Sequence, residues 1–202
     1  MNKNIIADTL MNYNKQGVLA LSLGDYEKAL ECFKKSYYIE SEIKLSQEKG
    51  KTLINIANTM MLLNKPEQAL ETADEALDIF KQLNYKQDYL LTLLLIANIQ
   101  IHLKNFKQSE TILLKMLKET LQNNVKGEIY LSLHEVYLKN KENYQAQESI
   151  TKAIQYFESS QEKNKLTQTL LTRADFFKTI NRADLAAMDL NKVDYLSNEV
   201  TL

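Results

Sequence analysis

Small and large apolar residues recur along this chain with a repeat of about 40 residues. One small residue marks each repeat and is called the anchor here, and apolar or small residues follow it four and seven positions later. Positions spaced in this way lie on one face of an α-helix, so each anchor predicts a helix with one face turned to a core. The five anchors are Ala29, Ala69, Ser109, Ala146 and Ala186.

A second helix is predicted upstream of each anchor. A large residue stands sixteen positions before every anchor, and in four of the five units a small residue stands twelve positions before it. Small residues suit places where two helices approach closely, and large ones fill the space between them. Each unit is therefore interpreted as helix A, a tight turn and helix B. Five positions before the anchors, the predicted turn residues are Gly24, Asn64, Lys104, Lys141 and Asn181.

The pattern predicts ten helices, at 3–22, 25–44, 47–63, 66–83, 87–103, 106–121, 125–139, 142–159, 163–179 and 182–198. They group into five units at about 3–44, 47–83, 87–121, 125–159 and 163–198. The third and fourth anchors are three residues closer than the others, and we expect the loss in a loop near Asn123 and Asn124. Because no linker interrupts the pattern, a single repeat domain over 1–202 is predicted.

The first unit carries a recognisable motif, Tyr13-x2-Gln16-Gly17-x2-Ala20 followed by Gly24-x-Tyr26-x2-Ala29-x3-Phe33-x2-Ser36. This motif resembles the tetratricopeptide repeat, in a variety longer than the usual unit of about 34 residues. The resemblance implies an all-α, right-handed α-solenoid (superhelix) of five antiparallel helix pairs, whose A helices line a concave groove. HEAT-type repeats share the longer period, but the placement of Gly, Ala and Tyr fits the tetratricopeptide pattern better.

Composition narrows the class of protein. Among 202 residues there are 4 glycines and 1 proline, which argues against a β-sandwich, and 45% are hydrophobic. The net charge is −1, so neither nucleic acid nor an anionic membrane surface is an expected partner. The single cysteine cannot form an internal disulfide, and no apolar leader or membrane span is evident. Cytoplasmic localisation is therefore expected.

Chemistry-bearing residues are sparse, and no catalytic residue, metal site or cofactor is predicted. His134 stands at a close-packing position and is interpreted as a packed histidine, whereas His102 lies on the helix at 87–103. Cys32 has no base in register and is interpreted as a packing or surface thiol. The acidic pairs are interpreted as solvated helix faces rather than acid–base dyads: Glu40/Glu42 and Asp74/Glu75. The chain is therefore not expected to be an enzyme.

By the resemblance, the residues fourteen, eleven and seven positions before each anchor face the groove. Asn55, Asn58 and Asn98 form an asparagine column there, and an asparagine amide can bind a peptide backbone because it both donates and accepts hydrogen bonds. Glu135 and Asp175 occupy the later units and would favour a ligand with Lys or Arg. In the first unit these positions hold Lys15, Val18 and Ser22.

The helix at 87–103 is apolar around its whole circumference. A helix of that kind is usually buried on all sides, yet the groove side of a solenoid helix should remain open. Two interpretations follow. In the first, Leu91 and Leu95 are an apolar floor for a ligand or the place where a partner helix lies, with His102 one turn beyond Asn98. In the second, the groove is closed and the leucines extend the core.

These observations predict a protein- or peptide-binding scaffold or adaptor that uses the helix A groove. One alternative is a peptide-sensing regulatory receptor that acts through a partner protein. Another is a structural subunit that self-assembles, as a homodimer through its C-terminal helix, because that helix ends the array with several apolar residues. These are Leu185, Met188, Leu190, Val193 and Leu196.

Overall fold

A computed structural model of the protein describes residues 3–41 and 46–198, and within these ranges the chain forms ten α-helices and no strand. Within each of the two compact parts of the chain, consecutive helices contact one another. The all-α fold of consecutive helix pairs is confirmed. The helices are α1 Lys3–Ser22, α2 Tyr26–Ser41, α3 Gln47–Leu62, α4 Pro66–Gln82, α5 Lys86–His102, α6 Phe106–Glu119, α7 Asn123–Lys139, α8 Asn143–Ser159, α9 Lys163–Thr179 and α10 Ala183–Asn198.

Where the structure describes them, the helix ends lie within two residues of the predicted ones, and the predicted residues 42–44 of α2 lie outside the described part. The expected place of the three missing residues is wrong. Asn123 and Asn124 belong to the first turn of α7, whereas α6 has 14 residues against 17 in α4 and α8. The third repeat is therefore shorter because its B helix ends one turn early.

All five predicted turn residues have a positive backbone φ, as the left-handed region requires. The residue that follows each of them donates its backbone N–H to the carbonyl oxygen five residues earlier, as Asn105 does to Gln100 at 2.8 Å. This bond satisfies a carbonyl that the end of helix A would otherwise leave unpaired. The φ angles are 75° at Gly24, 55° at Asn64, 62° at Lys104, 64° at Lys141 and 58° at Asn181.

The chain divides into two compact units, Met1–Asn105 with α1–α5 and Phe106–Leu202 with α6–α10. From here on, 'unit' means one of these two parts, and each of the five helix pairs of the sequence analysis is called a repeat. In the first unit, a buried cluster of Leu53, Ala76, Ile79 and Phe80 joins α3 to α4. In the second, one cluster surrounds Ala146, Ala174 and Phe177, and another surrounds Ala153, Phe157 and Leu170. The single repeat domain over 1–202 stays a prediction.

Glycines allow the closest contacts between A and B helices of one repeat. A Cβ built on Gly50 would lie 2.6 Å from the ring of Phe80, and one on Gly127 would lie 2.5 Å from the ring of Phe157. The two pairs occupy the same positions in the second and fourth repeats. Both rings are almost completely buried, so the glycines make room for aromatic side chains that fill the interior.

The apolar residues of α10 are mostly packed inward, contrary to the expectation of an uncovered terminal face. Leu185 and Leu190 pack against the Ala174 cluster, and Val193 and Leu196 pack against the Phe157 cluster. Met188, 66% exposed, is the one apolar residue of the five that faces solvent, and Tyr195 is also exposed. The surface that α10 offers to a second copy is therefore much smaller than the sequence suggested.

A charged pair also ties α10 to α9. The Arg173 guanidinium donates to both carboxylate oxygens of Asp189, from Nε at 2.9 Å and from Nη2 at 2.6 Å, and Nη1 donates to Thr151 at 3.3 Å. Asp189 is buried, and the guanidinium lies 5.7 Å from the centroid of the Phe177 ring. The bidentate pairing with the guanidinium offsets the desolvation of this buried carboxylate.

Candidate ligand-binding face

Six of the eight predicted site residues lie on α3 and α5, which contact each other within the first unit. Asn58 and His102 are exposed, and Asn55, Leu95 and Asn98 are half-buried. Leu91 is 46% exposed, which is unusual for a leucine in the middle of a repeat protein. The helical register therefore leaves these residues accessible, as a ligand-binding face requires.

Helix α5 is buried on most sides but not on all. Leu90, Leu94 and Ile96 are buried, whereas Leu91 on the same helix is exposed. Of the two leucines that were placed either in a ligand site or in the core, Leu91 is exposed and Leu95 is half-buried. The side of α5 that carries Leu91 is therefore open to solvent.

The remaining two predicted residues lie in the second unit. Glu135 on α7 is exposed, and Asp175 on α9 is exposed and bound by the Lys178 ammonium at 2.8 Å. This ion pair sits on one helix, three residues apart, and offsets the negative charge that Asp175 was expected to present. Glu135 is thus the stronger of the two candidates for contact with a basic ligand.

The structure adds a pocket on α1 that the sequence analysis did not assign to a ligand. Its volume is about 730 Å³, and Met11, Val18 and Leu19 of α1 supply much of its apolar wall. Lys15, Val18 and Ser22 stand at the predicted groove positions, and all three line this pocket. The sequence pattern gives no sign of this pocket, because Met11, Leu19 and Glu40 stand outside the predicted groove positions. Leu10, Asn14, Glu40 and Glu48 complete the lining.

Glu40 lines the same pocket and is not on a solvated face, so that prediction is wrong. Its side chain is only 4% exposed; Oε1 accepts a hydrogen bond from Thr52 Oγ1 at 3.3 Å, and Oε2 has no hydrogen-bond partner. Burial raises the pKa of the Glu40 carboxyl, and the negative charge of Glu48 adds to the effect, while Thr52 and Lys49 oppose it. Glu42 lies outside the described residues.

The other acidic pair does lie at the surface. Asp74 and Glu75 are exposed, and Glu75 accepts a hydrogen bond from the Tyr37 hydroxyl at 2.6 Å. Burial together with this bond raises the pKa of Tyr37 to about 12. Glu75 thus joins α4 to α2 through Tyr37.

His134 and Cys32 are packing residues. The His134 ring is buried, its Nδ1 lies 2.9 Å from the Ala146 carbonyl oxygen, and it meets the Phe176 ring edge-on at 5.5 Å between centroids. Cys32 is buried and free. Burial lowers the pKa of His134, although the bond to Ala146 works against that. The packing role predicted for this histidine is confirmed.

The buried histidine should make stability depend on pH. A folded-state pKa below the usual value of 6.5 means that the unfolded chain binds the proton more readily, so stability is present above that value and is lost as the pH falls. Between about pH 7.5 and about pH 5.5, we expect the free energy of unfolding to fall more steeply in the natural chain than in His134→Ala, by up to about 1.4 kcal/mol per pH unit.

Denaturant titrations at several pH values measure this difference. The alanine variant is a matched control because the same position holds Ala57, Ala97 and Ala174 in other repeats. Parallel pH profiles for the two proteins would contradict the prediction.

Within the described residues, no group of three His, Cys, Asp or Glu side chains is placed to hold a metal ion, and no helix is long and apolar enough to cross a bilayer. His102 and His134 stand on different helices, α5 and α7.

Comparison with known proteins supports the repeat assignment. Residues 8–82 match a family model described as tetratricopeptide repeat. A segment of 66 residues is 39% identical to the Photosystem I assembly protein Ycf3 of Synechococcus sp. (strain CC9311). That segment covers 33% of this chain and 36% of that protein, so the similarity to this relative concerns about a third of either chain.

Two solved structures share the fold over most of this chain. A Rap protein complexed with Competence and Sporulation Factor superposes with a TM-score of 0.83 at 14% identity, covering 95% of this chain and 54% of that one. The apo form of the quorum sensor NprR from B. thuringiensis gives 0.79 at 15% identity, covering 96% and 55%. The chain thus spans about half the length of each, and at this identity the likeness shows the α-solenoid fold alone.

Proposed function

Since this chain is a tetratricopeptide-repeat protein, we propose that it is a non-enzymatic scaffold or adaptor that binds a protein or peptide segment on the exposed faces of its A helices. Repeats of this family generally serve protein interactions. The proposed setting is the cytoplasm.

One observation carries this proposal, namely the exposed apolar side chains that recur on the A helices of the first unit. Met11 and Leu91 occupy the same repeat position and are 52% and 46% exposed. Val18 and Leu62 stand at two predicted groove positions and are also exposed. Packing does not require large apolar residues at surface positions, and their recurrence on one set of helices is typical of an interaction surface.

Polar side chains beside these residues supply the proposed specificity. Asn55, Asn58 and Asn98 would bind the backbone of an extended segment, and Leu91 and Leu95 would contact its apolar side chains. His102 ends the same face of α5. In the second unit, Glu135 and Asp175 are proposed to meet basic groups of the ligand.

The double variant Asn58→Ala/Asn98→Ala tests the proposal. Peptides captured from the native cell by the natural chain are titrated into both proteins, and we expect the double variant to bind at least about ten-fold more weakly, since each lost amide removes hydrogen bonds to the ligand backbone. Helicity measured by circular dichroism should be unchanged. Equal affinities of the natural chain and the double variant for the peptide would contradict the assignment of this face as the binding site.

We propose as the alternative a regulatory receptor that acts through a partner protein; a quorum sensor and a Rap protein complexed with a factor are among the proteins that share its fold. Small-angle scattering during the same peptide titration separates the two functions. A scaffold keeps its envelope when the peptide binds, whereas a receptor changes it. Self-association through α10 stays a prediction that rests on Met188 and Tyr195 alone.

A further inference from the structure

We infer that the α1 pocket binds the side chain of a lysine residue in the partner segment, with its ammonium group at Glu40. The pocket is lined by α1, the last turn of α2 and the first turn of α3. The inference rests on the proposed function and names the residue type that this part of the face recognises.

The position of Glu40 in the repeat shows that its carboxyl group is not there for packing. Glu40 stands eleven residues after its anchor, which is the position of Phe80 in the second repeat and Phe157 in the fourth. Those rings are fully buried against neighbouring glycines, while the third repeat has a buried Thr120. A carboxyl group in this place loses solvation and gains little packing, so it weakens the fold. Departures of this kind concentrate at functional sites.

Two buried oxygen atoms in the pocket wall have no hydrogen-bond donor. They are Glu40 Oε2 and Asn14 Oδ1, and both residues line the pocket. Thr52 occupies the other oxygen of the Glu40 carboxylate. Buried acceptors are nearly always paired in native proteins, and a donor group that enters the pocket would pair these two.

The geometry of these acceptors favours lysine over arginine. An ammonium group has three donors that point in different directions, so it can reach oxygens on separate residues such as Glu40 and Asn14. A guanidinium group binds best when both oxygens of one carboxylate are available, and Thr52 already uses one of them. Met11, Val18 and Leu19 form walls that suit the four methylene groups of a lysine stem.

The charges around the pocket also favour a cation. The lining carries two carboxylates, Glu40 and Glu48, against the ammonium of Lys15. Glu48 lies at the exposed rim and is paired with Lys51 at 3.1 Å, and Lys49 acts on Glu40 from α3. Among the described residues that line the pocket, Glu40 is the buried carboxyl group, and no ion pair joins it to Lys15, Lys49 or Lys51. A ligand ammonium would supply the ion pair that the Glu40 carboxylate lacks among these residues.

The experiment uses the full chain and three model compounds. They are Nα-acetyl-lysine-N-methylamide, which keeps its side-chain ammonium, the norleucine analogue that lacks the ammonium, and the arginine analogue. Methyl resonances of Met11, Val18 and Leu19 are followed by NMR during each titration. We expect saturable shifts with the lysine compound, at least ten-fold weaker binding of norleucine, and weaker binding of arginine than of lysine.

Two variants assign the effect to one carboxylate. Glu40→Gln keeps an oxygen for the Thr52 hydroxyl and removes the charge, so it should fold and should bind the lysine compound about ten-fold more weakly. Glu71→Gln makes the same change on an exposed face of α4 and should leave the dissociation constant unchanged. Equal affinity of Glu40→Gln and the natural chain would overturn the inference, as would norleucine binding as tightly as lysine.

These measurements distinguish a failure of the lysine inference from a failure of the proposed scaffold function. Absence of lysine binding, combined with weaker peptide binding by Asn58→Ala/Asn98→Ala, would overturn this inference and leave the scaffold proposal standing. If the pocket binds the lysine compound but the A helices bind no protein segment, the scaffold proposal would be overturned instead.

Discussion

Replacement of Arg173 by methionine is expected to lower the free energy of unfolding by about 3–5 kcal/mol. The substitution keeps most of the aliphatic volume but leaves Asp189 buried without its two guanidinium hydrogen bonds. An unpaired buried carboxylate is far more costly than the absence of the whole pair, because its desolvation is no longer offset. Urea denaturation followed by circular dichroism measures the change.

Two further variants separate charge from packing at this site. The double variant Arg173→Met/Asp189→Leu removes both charges and should recover most of the lost stability, since an apolar pair of similar volume can replace a buried ion pair. Arg182, the other arginine of the chain, forms an exposed pair with Asp184, and Arg182→Met should leave the denaturation midpoint unchanged. A double variant no more stable than Arg173→Met would contradict this explanation.

The helix pairs were predictable because each turn is built from local constraints. Five positions before each anchor, the backbone enters the left-handed region, and the sequence places glycine or asparagine there in three of five cases. Lys104 and Lys141 adopt the same conformation without such a preference, and only their spacing from the anchors indicated a turn. Periodicity over the whole chain therefore predicted what residue type alone would have missed at these two positions.

Burial was harder to predict where a polar residue stands in an apolar register. Glu40 was interpreted as a solvated residue from its charge, although its spacing from Ala29 matches the spacing of Phe80 from Ala69. Register is set by helix geometry and applies to any side chain, whereas charge describes only the preference of the side chain for water. At Glu40 the geometry prevails, and the carboxyl group is buried at a cost.

The α10 helix shows the opposite error. Its leucines and Val193 are treated as uncovered in the sequence analysis, but they pack inward against residues of α8 and α9. The early end of α6 was equally beyond reach of the sequence, since the deletion could be placed anywhere between two anchors. The pattern along α10 does not show which neighbouring helices cover it, and the spacing of two anchors does not show which helix between them is shorter.

Phe157→Ala is expected to destabilise the second unit by about 3–5 kcal/mol, because the ring is fully buried and its removal leaves a cavity that helices α7 and α8 cannot close. The contact with Gly127 makes a sharper test possible. In the natural chain, Gly127→Ala places a methyl group within 2.5 Å of the ring and should cost about 1–3 kcal/mol through overpacking.

In the Phe157→Ala background the effect of Gly127→Ala should reverse sign. The methyl group then enters the space left by the ring, and alanine is a better helix former than glycine by about 1 kcal/mol, so the double variant should be more stable than Phe157→Ala alone. A double-mutant cycle by denaturant unfolding measures the coupling. If Gly127→Ala had the same effect in both backgrounds, close contact between helix A and the ring would not be the reason for glycine at this position.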